Sequence, residues 1–218
     1  ITGFLIQTSY LKLKKDRISN FYSDNQHTIR EIIENDDYIE LLLIGTSSSS
    51  NISLIFFIET EELLAIKKIT SQKLTEREIR NYPLIKHPFV PRYYGKTKEN
   101  YIIFEYINGH TLSKIKEFHF SEKEKLTIIF HLLSIIDYLH KNHFIYRDLK
   151  PDNVIIDENK TAVLIDFDRM ITEEEQENNE SNTKSFGLIF QAPEIFCNDF
   201  INKCDIYSIG QMIFYLIN

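Results

Sequence analysis

The chain has 218 residues, of which 43% are hydrophobic and 26% are charged, and its formal net charge is -7. This composition is typical of a soluble globular protein and excludes an intrinsically disordered one. The acidic balance argues against nucleic acid or an anionic membrane surface as the main partner, because either would bind a basic surface.

The cysteines and the apolar runs bear on where the protein is located. Its two cysteines, Cys197 and Cys204, show no Cys-x-x-Cys spacing. We interpret them as free thiols of a reducing compartment, which predicts a cytoplasmic location. No apolar run reaches the roughly 18–20 residues that a membrane-spanning helix requires, so we expect no membrane insertion. The first residues, ITGFLIQTSYLKLKK, are interpreted as the end of a preceding segment rather than a signal peptide.

The first half of the chain is predicted to consist mainly of strands. Residues 1–36 are weakly patterned, and we predict an N-terminal extension there with a short helix near residues 27–34. From residue 37 onward, apolar runs bounded by turn residues predict strands at DYIELLLIG, ISLIFFIE and LLAIKKI, then a hairpin-like pair around RYYGK and NYIIFEY. Helix-forming residues at 74–82 predict one helix, which Pro83 should end or kink.

The second half is predicted to be mainly helical. The sequence turns helical after Gly109, and Ser121 with Glu124 forms a capping box that opens a long amphipathic helix. Two short strands, NVIID and AVLID, follow, and the acidic residues 172–184 are interpreted as a loop. The last residues, DIYSIGQMIFYLIN, are interpreted as a buried helix. Strands first and helices second favour an α+β fold with two lobes.

The residues with the clearest chemistry lie in YRDLKPDNVIID, at 146–157, and LIDFD, at 164–168. These strings place Asp148, Lys150, Asn153 and Asp166 on one loop and two neighbouring strand ends. They offer one candidate base, one cation and two oxygen-bearing metal ligands. Mg²⁺ prefers few protein carboxylates together with phosphate oxygens, so the group suits a metal-bound nucleotide.

The same strings closely resemble the catalytic loop of the eukaryotic protein kinase superfamily, whose pattern is H-R-D-L-x-x-x-N followed by D-F-G. The resemblance implies that Asp148 accepts the proton of the substrate hydroxyl and that Asn153 and Asp166 hold Mg²⁺. It also implies that Lys150 steadies the transferred phosphoryl group, and a lysine at this place belongs to the Ser/Thr version of the loop.

Further matches to this family occur in the expected order. LAIK, at 64–67, resembles V-A-I-K, so Lys67 is expected to pair with the α- and β-phosphates of ATP. Glu78 lies nine positions before His87, as the family's helix glutamate does, and is expected to pair with Lys67. FEYING, at 104–109, resembles the hinge, where Phe104 would limit the pocket and the backbone from Glu105 to Ile107 would bind adenine.

The resemblance also implies how the nucleotide base is enclosed. Ile52, Ala65 and Ile155 would sandwich it, although these residues can equally be plain core, and Gly45 is the first glycine of the Gly-rich loop. QAPE, at 191–194, matches the A-P-E element, and DIYSIG matches the helix that anchors the catalytic loop through Asp205. His140 and His143 resemble a metal pair by composition, but their place before the loop favours packing and a helix end.

The Gly-rich loop and three single positions depart from the family pattern. The Gly-rich loop reads GTSSSS, so only Gly45 remains, and we expect nucleotide or transition-state binding about tenfold weaker than with glycines. Tyr146 replaces a packing histidine, Asp168 replaces the third residue of D-F-G, and Gly187 replaces a threonine. The groups that carry out phosphoryl transfer are nevertheless all present.

We therefore predict an α+β, bilobal protein kinase-like fold with a small β-rich N-lobe that carries one helix. The kinase domain is predicted at 37–218, with the N-lobe at 37–104, the hinge at 105–109 and an incomplete, mainly helical C-lobe at 110–218. The predicted function is transfer of the ATP γ-phosphate, with Mg²⁺, to Ser/Thr hydroxyls of a protein substrate. The alternative is a pseudokinase that acts as a scaffold or allosteric partner. The sequence does not indicate an oligomeric state.

Overall fold

The computed structural model describes residues 30–47, 50–70, 72–117, 120–177, 189–193 and 203–217. The chain divides into two compact units, Ile1–Asn108 and Gly109–Asn218. The division falls within the segment that the sequence predicts as a hinge.

The first unit contains a six-stranded sheet with the order β1-β5-β6-β4-β3-β2. Its strands are β1 (Arg30–Ile33), β2 (Tyr38–Thr46), β3 (Ser50–Phe57), β4 (Glu62–Ile69), β5 (Tyr93–Thr97) and β6 (Ile102–Glu105). Short turns join β2, β3 and β4, which explains their antiparallel pairing. The five strands predicted from the sequence are confirmed.

One helix is described in the first unit, between β4 and β5. It is α1 (Gln72–Asn81), and a 3₁₀ turn at Tyr82–Leu84 follows it directly. Pro83 stands inside that turn, where its missing N–H and fixed φ are tolerated but where an α-helix cannot continue. The prediction that Pro83 ends the helix is confirmed.

The helix predicted near residues 27–34 is wrong in the part that the structure describes. Arg30–Ile33 is a strand that pairs in parallel with β5, with Ile33 opposite Thr97. Consecutive β-branched residues in REII favour an extended chain. Ile33 is only 1% exposed and belongs to the core cluster of the sheet, so burial of this side chain fixes the segment as a strand.

We expect Ile33→Ala to lower the free energy of unfolding by about 2–4 kcal/mol, because it removes most of a fully buried aliphatic side chain. The matched control is Ile32→Ala in the same strand, whose side chain is 47% exposed. Urea denaturation of the full-length protein would measure both. Equal losses would show that β1 does not depend on its contact with the core.

The second unit combines three α-helices and two 3₁₀ helices, Leu112–Glu117 and Pro151–Asn153, with short strands among its described residues. The α-helices are α2 (Glu122–Lys141), α3 (Glu173–Glu177) and α4 (Lys203–Ile217). The strands are β7 (Gly109–Thr111), β8 (Phe144–Ile145), β9 (Val154–Asp157), β10 (Ala162–Leu164) and β11 (Ile171–Thr172). They form one sheet with the order β10-β9-β7 and one β11-β8 pair. The α+β fold class, with a β-rich first unit and a mainly helical second unit, is confirmed.

The predicted capping box at the start of α2 is present. The Ser121 hydroxyl accepts a hydrogen bond from the Glu124 N–H at 3.3 Å, and the Ser121 N–H donates to the Glu124 carboxylate at 2.8 Å. These two bonds satisfy N–H groups that have no partner inside the helix, which fixes where α2 begins.

Two predictions in the second unit need correction. The chain is not helical directly after Gly109 but first forms β7, where a Cβ on Gly109 would lie 2.3 Å from the Ile156 carbonyl oxygen. Only glycine allows this approach. The acidic segment 172–184 is not all loop, because Glu173–Glu177 is helical and the Thr172 hydroxyl caps it by accepting from the Glu175 N–H at 3.1 Å. Residues 178–184 lie outside the described residues.

Candidate active site

The loop that follows β8 is held in an unusual backbone conformation. Arg147 has φ of +74°, which non-glycine residues rarely adopt. The carboxylate of Asp205, which is 0% exposed, accepts hydrogen bonds from the N–H groups of Tyr146 at 2.9 Å and Arg147 at 2.8 Å. Asp205 lies in the first turn of α4. The helix thereby fixes the entry of the loop.

The two histidines near this loop have different partners. His140 Nε2 lies 2.9 Å from the buried Asp205 carboxylate, whereas the exposed His143 Nδ1 lies 2.7 Å from Glu173. Among the described residues there is no cluster of His, Cys, Asp and Glu side chains suited to a metal ion by itself. His140 is therefore part of the helix anchor and does not form a pair with His143.

The structure brings Asp148, Lys150 and Asn153 together. Asp148 is 4% exposed, and its Oδ2 lies 2.7 Å from Lys150 Nζ and 2.9 Å from Asn153 Nδ2. The same amide nitrogen of Asn153 donates to the backbone oxygen of Asp148 at 2.8 Å. These bonds use the amide nitrogen, so the amide oxygen is the atom that Asn153 can offer to a cation. Amide and carboxylate oxygens are ligands that suit Mg²⁺.

The turn that carries Asp166 is tied to the loop at Ile165. The Ile165 N–H donates to the Asn153 carbonyl at 2.9 Å, and the Tyr146 hydroxyl donates to the Ile165 carbonyl at 2.6 Å. Asp166 itself has φ of +66°, a conformation that Asp tolerates better than most residues. The turn after β10 is thus positioned by bonds from the loop that contains Asp148.

Tyr146 is an integral part of this arrangement. It is 0% exposed, and its ring packs edge-on against Phe167 with 5.4 Å between ring centroids. Burial raises the pKa of its hydroxyl well above the usual range, and the carboxylates of Asp148, Asp166 and Asp168 raise it further. The hydroxyl therefore stays protonated and donates to Ile165.

Asp168 and Arg169 complete the turn. Asp168 is buried and does not take a positive φ, so this conformation does not require the glycine of the family pattern. Arg169 Nε lies 3.8 Å from Asp148 Oδ2. Sequence reasoning missed this contact, although the position of Arg169 directly after the D-F-D string was a usable signal.

In the first unit the structure joins Lys67 to Glu78. Lys67 Nζ lies 2.9 and 3.0 Å from the two carboxylate oxygens of Glu78, and the side chains are 4% and 2% exposed. Lys67 projects from β4 and Glu78 from α1. The helix is thereby attached to the sheet by a buried, bidentate ion pair.

We expect Glu78→Gln to lower the free energy of unfolding by about 2–3 kcal/mol, because the buried Lys67 cation loses its counter-charge while the amide still accepts one hydrogen bond. Glu76→Gln, on an exposed position of the same helix, is the matched control. Urea denaturation would compare them. Similar losses in the two variants would mean that the ion pair contributes little.

The other predicted nucleotide-site residues of the first unit lie in the strands around Lys67. Ile52 pairs with Lys67 and with Gly45, and Ala65 pairs with Phe104. Ala65 is 2% exposed, which also fits the alternative reading as core. At the end of β6, the Glu105 carboxylate accepts from the Arg92 N–H at 3.1 Å, and beyond the strand Ile107 is buried. Ile155 belongs to the second unit, in β9, opposite Thr111 and Val163.

The serine-rich turn between β2 and β3 is closed by its own side chains. The Ser47 N–H donates to the Ser50 carbonyl at 2.8 Å, and the Ser50 N–H donates to the Ser47 hydroxyl at 3.0 Å. The two hydroxyl oxygens are also 3.0 Å apart. Residues 48 and 49 lie outside the described part. The described hydroxyls therefore bind each other, which the sequence did not indicate.

The QAPE segment and the residue before it, Phe190, contact α4. The Ser208 hydroxyl donates to the Phe190 carbonyl at 2.6 Å. Ala192 packs with Cys204 and with Ile145, the residue just before Tyr146. Gly187 and Glu194 lie outside the described residues.

Comparisons with known proteins agree with these features. The family model of the protein kinase domain matches residues 38–218. One relative is "Dual specificity protein kinase zak2" of Dictyostelium discoideum, 28% identical over 73% of this chain and 26% of its own length. A second is "Probable serine/threonine-protein kinase KIN1 homolog" of Encephalitozoon cuniculi, 29% identical over 94% of this chain and 41% of its own length. A third is "Serine/threonine-protein kinase 33" of Bos taurus, 27% identical over 92% of this chain and 45% of its own length.

The chain thus spans less than half the length of these curated relatives. The family match covers most of the chain, and it includes both the Lys67–Glu78 pair and the Asp148 cluster. The chain belongs to the protein kinase domain family.

Proposed function

We propose that the chain is the catalytic part of a protein kinase that transfers the γ-phosphate of ATP to Ser/Thr hydroxyls of a protein substrate. The observation that carries the proposal is the Asp148 cluster. The buried Asp148 carboxylate has a lysine and an amide nitrogen within 3 Å of it, on a loop that Asp205 anchors. Positioning of this kind supplies much of the rate in phosphoryl transfer.

The proposed roles in the second unit follow from this geometry. Asp148 orients the acceptor hydroxyl and accepts its proton, and Lys150 steadies the charge of the transferred group. Asn153, through its amide oxygen, and Asp166 would hold Mg²⁺. When bound, Mg-ATP supplies the transferable phosphoryl group, with its charge partly neutralised by the metal.

In the first unit, Lys67 would bind the α- and β-phosphates and Glu78 would hold Lys67 in place. The buried ion pair supports this, since it fixes the ammonium group to a rigid strand and helix. Residues proposed to enclose or bind the rest of the nucleotide are Gly45, Ile52, Ala65, Phe104, Glu105, Ile107 and Ile155.

The proposed substrate is a protein with a Ser/Thr acceptor, because Lys150 belongs to the Ser/Thr version of the loop and two of the relatives described above carry serine/threonine kinase names. We propose no nucleic-acid partner, on the grounds of the net charge of -7. None of the helices in the described part of the chain is both long and apolar enough to cross a membrane. The proposed cytoplasmic location is supported by Cys204, a buried free thiol.

A pseudokinase is the second candidate, and three departures from the family pattern favour it. The Gly-rich loop has lost its later glycines, Asp168 replaces a glycine, and Gly187 replaces a threonine. None of these changes removes a group that would take part in transfer. Binding of Mg-ATP does not separate the two candidates, whereas transfer that depends on Asp148 does.

The internal bonds of the serine turn lead to a prediction about ATP affinity. We expect the double variant Ser47→Gly with Ser50→Gly to bind ATP up to about tenfold more tightly, because glycine would remove the contact between the two hydroxyls and free the N–H of residue 50 from the hydroxyl of residue 47. Isothermal titration would measure the change, with Thr46→Gly, at the exposed neighbouring position, as control. Weaker binding by the double variant would contradict the prediction.

The proposed function is tested by incubating the full-length protein with γ-labelled ATP, Mg²⁺ and peptides that offer serine, threonine or tyrosine. Label on serine or threonine that disappears in Lys67→Met supports the proposal. Label on tyrosine alone would overturn the assignment of the acceptor. No label above the Lys67→Met background on any peptide would favour the pseudokinase.

A further inference from the structure

Arg169 contacts the carboxylate that is proposed to carry out the reaction. Its Nε lies 3.8 Å from Asp148 Oδ2, the oxygen that Lys150 and Asn153 also bind. The Asp148 side chain is 4% exposed and that of Arg169 is 22% exposed. A charge contact with a buried carboxylate is screened much less by solvent than a surface pair.

The backbone on both sides of Arg169 is fixed. Phe167 is 1% exposed and Met170 is 0% exposed. The Met170 N–H also donates to the Phe167 carbonyl at 3.2 Å, which closes the turn around Asp168 and Arg169. The Arg169 side chain therefore extends toward Asp148 from a fixed backbone position.

Arg169 lies on a different segment of the chain from Lys150 and Asn153, which also contact Asp148. Lys150 and Asn153 lie on the same loop as Asp148, so their contacts stabilise the loop internally. Arg169 comes from the turn after β10, which also contains Asp166, the proposed metal ligand. Its contact joins the carboxylate of the loop to the turn.

The turn is also attached to the loop without Arg169. The Ile165 N–H binds the Asn153 carbonyl, and the Tyr146 hydroxyl binds the Ile165 carbonyl. Loss of the Arg169 charge leaves both bonds in place. A variant at Arg169 should therefore keep the fold and change the surroundings of Asp148.

We propose that Arg169 is a positioning residue that keeps the Asp148 carboxylate in a fixed position relative to the turn bearing Asp166. The proposal rests on the proposed function, because positioning affects the rate only if Asp148 takes part in transfer. Neither the family pattern nor the sequence assigns a role to this arginine. The 3.8 Å between Arg169 Nε and Asp148 Oδ2 is longer than a hydrogen bond, so this contact is an attraction between charges and requires only a positive charge at position 169.

The kinetic test compares Arg169→Gln, Arg169→Lys and the wild type in the full-length protein. We expect Arg169→Gln to lower kcat roughly tenfold with the KM for ATP unchanged, and Arg169→Lys to restore most of the rate. Lys141→Gln, which removes one exposed positive charge of the same unit, is the control and should behave as wild type. An unchanged or increased kcat in Arg169→Gln, or a loss confined to the KM for ATP, would overturn the proposal.

A second measurement does not need activity. Urea midpoints are determined for the wild type, Arg169→Gln, Asp148→Asn and the double variant. We expect Arg169→Gln to lower the midpoint in the wild type by more than it does in Asp148→Asn, because the two side chains interact. Additive shifts would overturn the proposal. If the wild type transfers no phosphate, the proposed function fails, and this cycle still decides whether Arg169 holds Asp148.

Discussion

Asp148→Asn is expected to lower kcat by about 10²–10⁴-fold, the range that a general base contributes. Asparagine has the same shape as aspartate and can still accept a hydrogen bond from Lys150 or Asn153, whose nitrogens lie 2.7 and 2.9 Å from Asp148 Oδ2. An amide, however, cannot take the proton of the acceptor hydroxyl. The loss should therefore fall on kcat, with the affinity for ATP little changed.

Initial rates and nucleotide titrations of the full-length protein would measure this effect. Asp152→Asn is the matched control, because Asp152 is exposed and lies in the same loop. It should keep the wild-type rate. Equal rates in Asp148→Asn and the wild type would remove Asp148 from the mechanism. Equal losses in Asp148→Asn and Asp152→Asn would point to general damage to the loop.

Asp205→Ala is expected to lower the free energy of unfolding by about 3–5 kcal/mol. The carboxylate is 0% exposed and accepts from the N–H groups of Tyr146 and Arg147, which alanine would leave buried without an acceptor. The interaction with His140 is lost as well. Arg147 also depends on these bonds to keep its positive φ.

The measurement combines urea denaturation with amide hydrogen exchange at residues 146 and 147. Both amides should exchange faster in Asp205→Ala than in the wild type. Asp137→Ala is the control, because that carboxylate is 62% exposed and pairs only on the surface with Lys141. Unchanged exchange at 146 and 147 would mean that other contacts hold the loop.

Local signals in the sequence predicted much of the fold. Alternating apolar runs and turn residues located β2 to β6, the capping box at Ser121 located the start of α2, and Pro83 located the end of α1. Each signal acts over a few residues, through backbone geometry or one hydrogen bond. Such features can be read without knowing the tertiary structure.

The predictions that were wrong concern segments whose structure depends on tertiary contacts. REII at the start of the described chain has a short, ambiguous pattern, and only the buried contact of Ile33 with the sheet makes it a strand. Gly109 was read as the last residue before a helix, whereas its role is to allow close approach to Ile156. Both depend on residues that are distant in sequence.

In the candidate site, too, motifs in the sequence predicted some contacts, whereas contacts that depend on the tertiary structure were missed. The motifs and their spacing resemble the family pattern, and this resemblance predicted the Lys67–Glu78 pair and the residues of the Asp148 cluster. The structure brings the members of each group together. The Arg169 contact was missed because it depends on how the turn after β10 folds back toward Asp148. Likewise, the serine hydroxyls could be foreseen as donors, but their binding to each other could not.

If the proposed function is right, these residues transfer phosphate rather than only bind nucleotide. The most direct test follows a stoichiometric amount of γ-labelled ATP bound to the full-length protein in Mg²⁺ with a Ser/Thr acceptor peptide, over a single turnover, with Asp148→Asn as baseline. We expect ADP and phosphoserine or phosphothreonine to form together in the wild type and neither to form in the variant on the same timescale. Recovery of intact ATP from both proteins, with nucleotide bound in each, would contradict it.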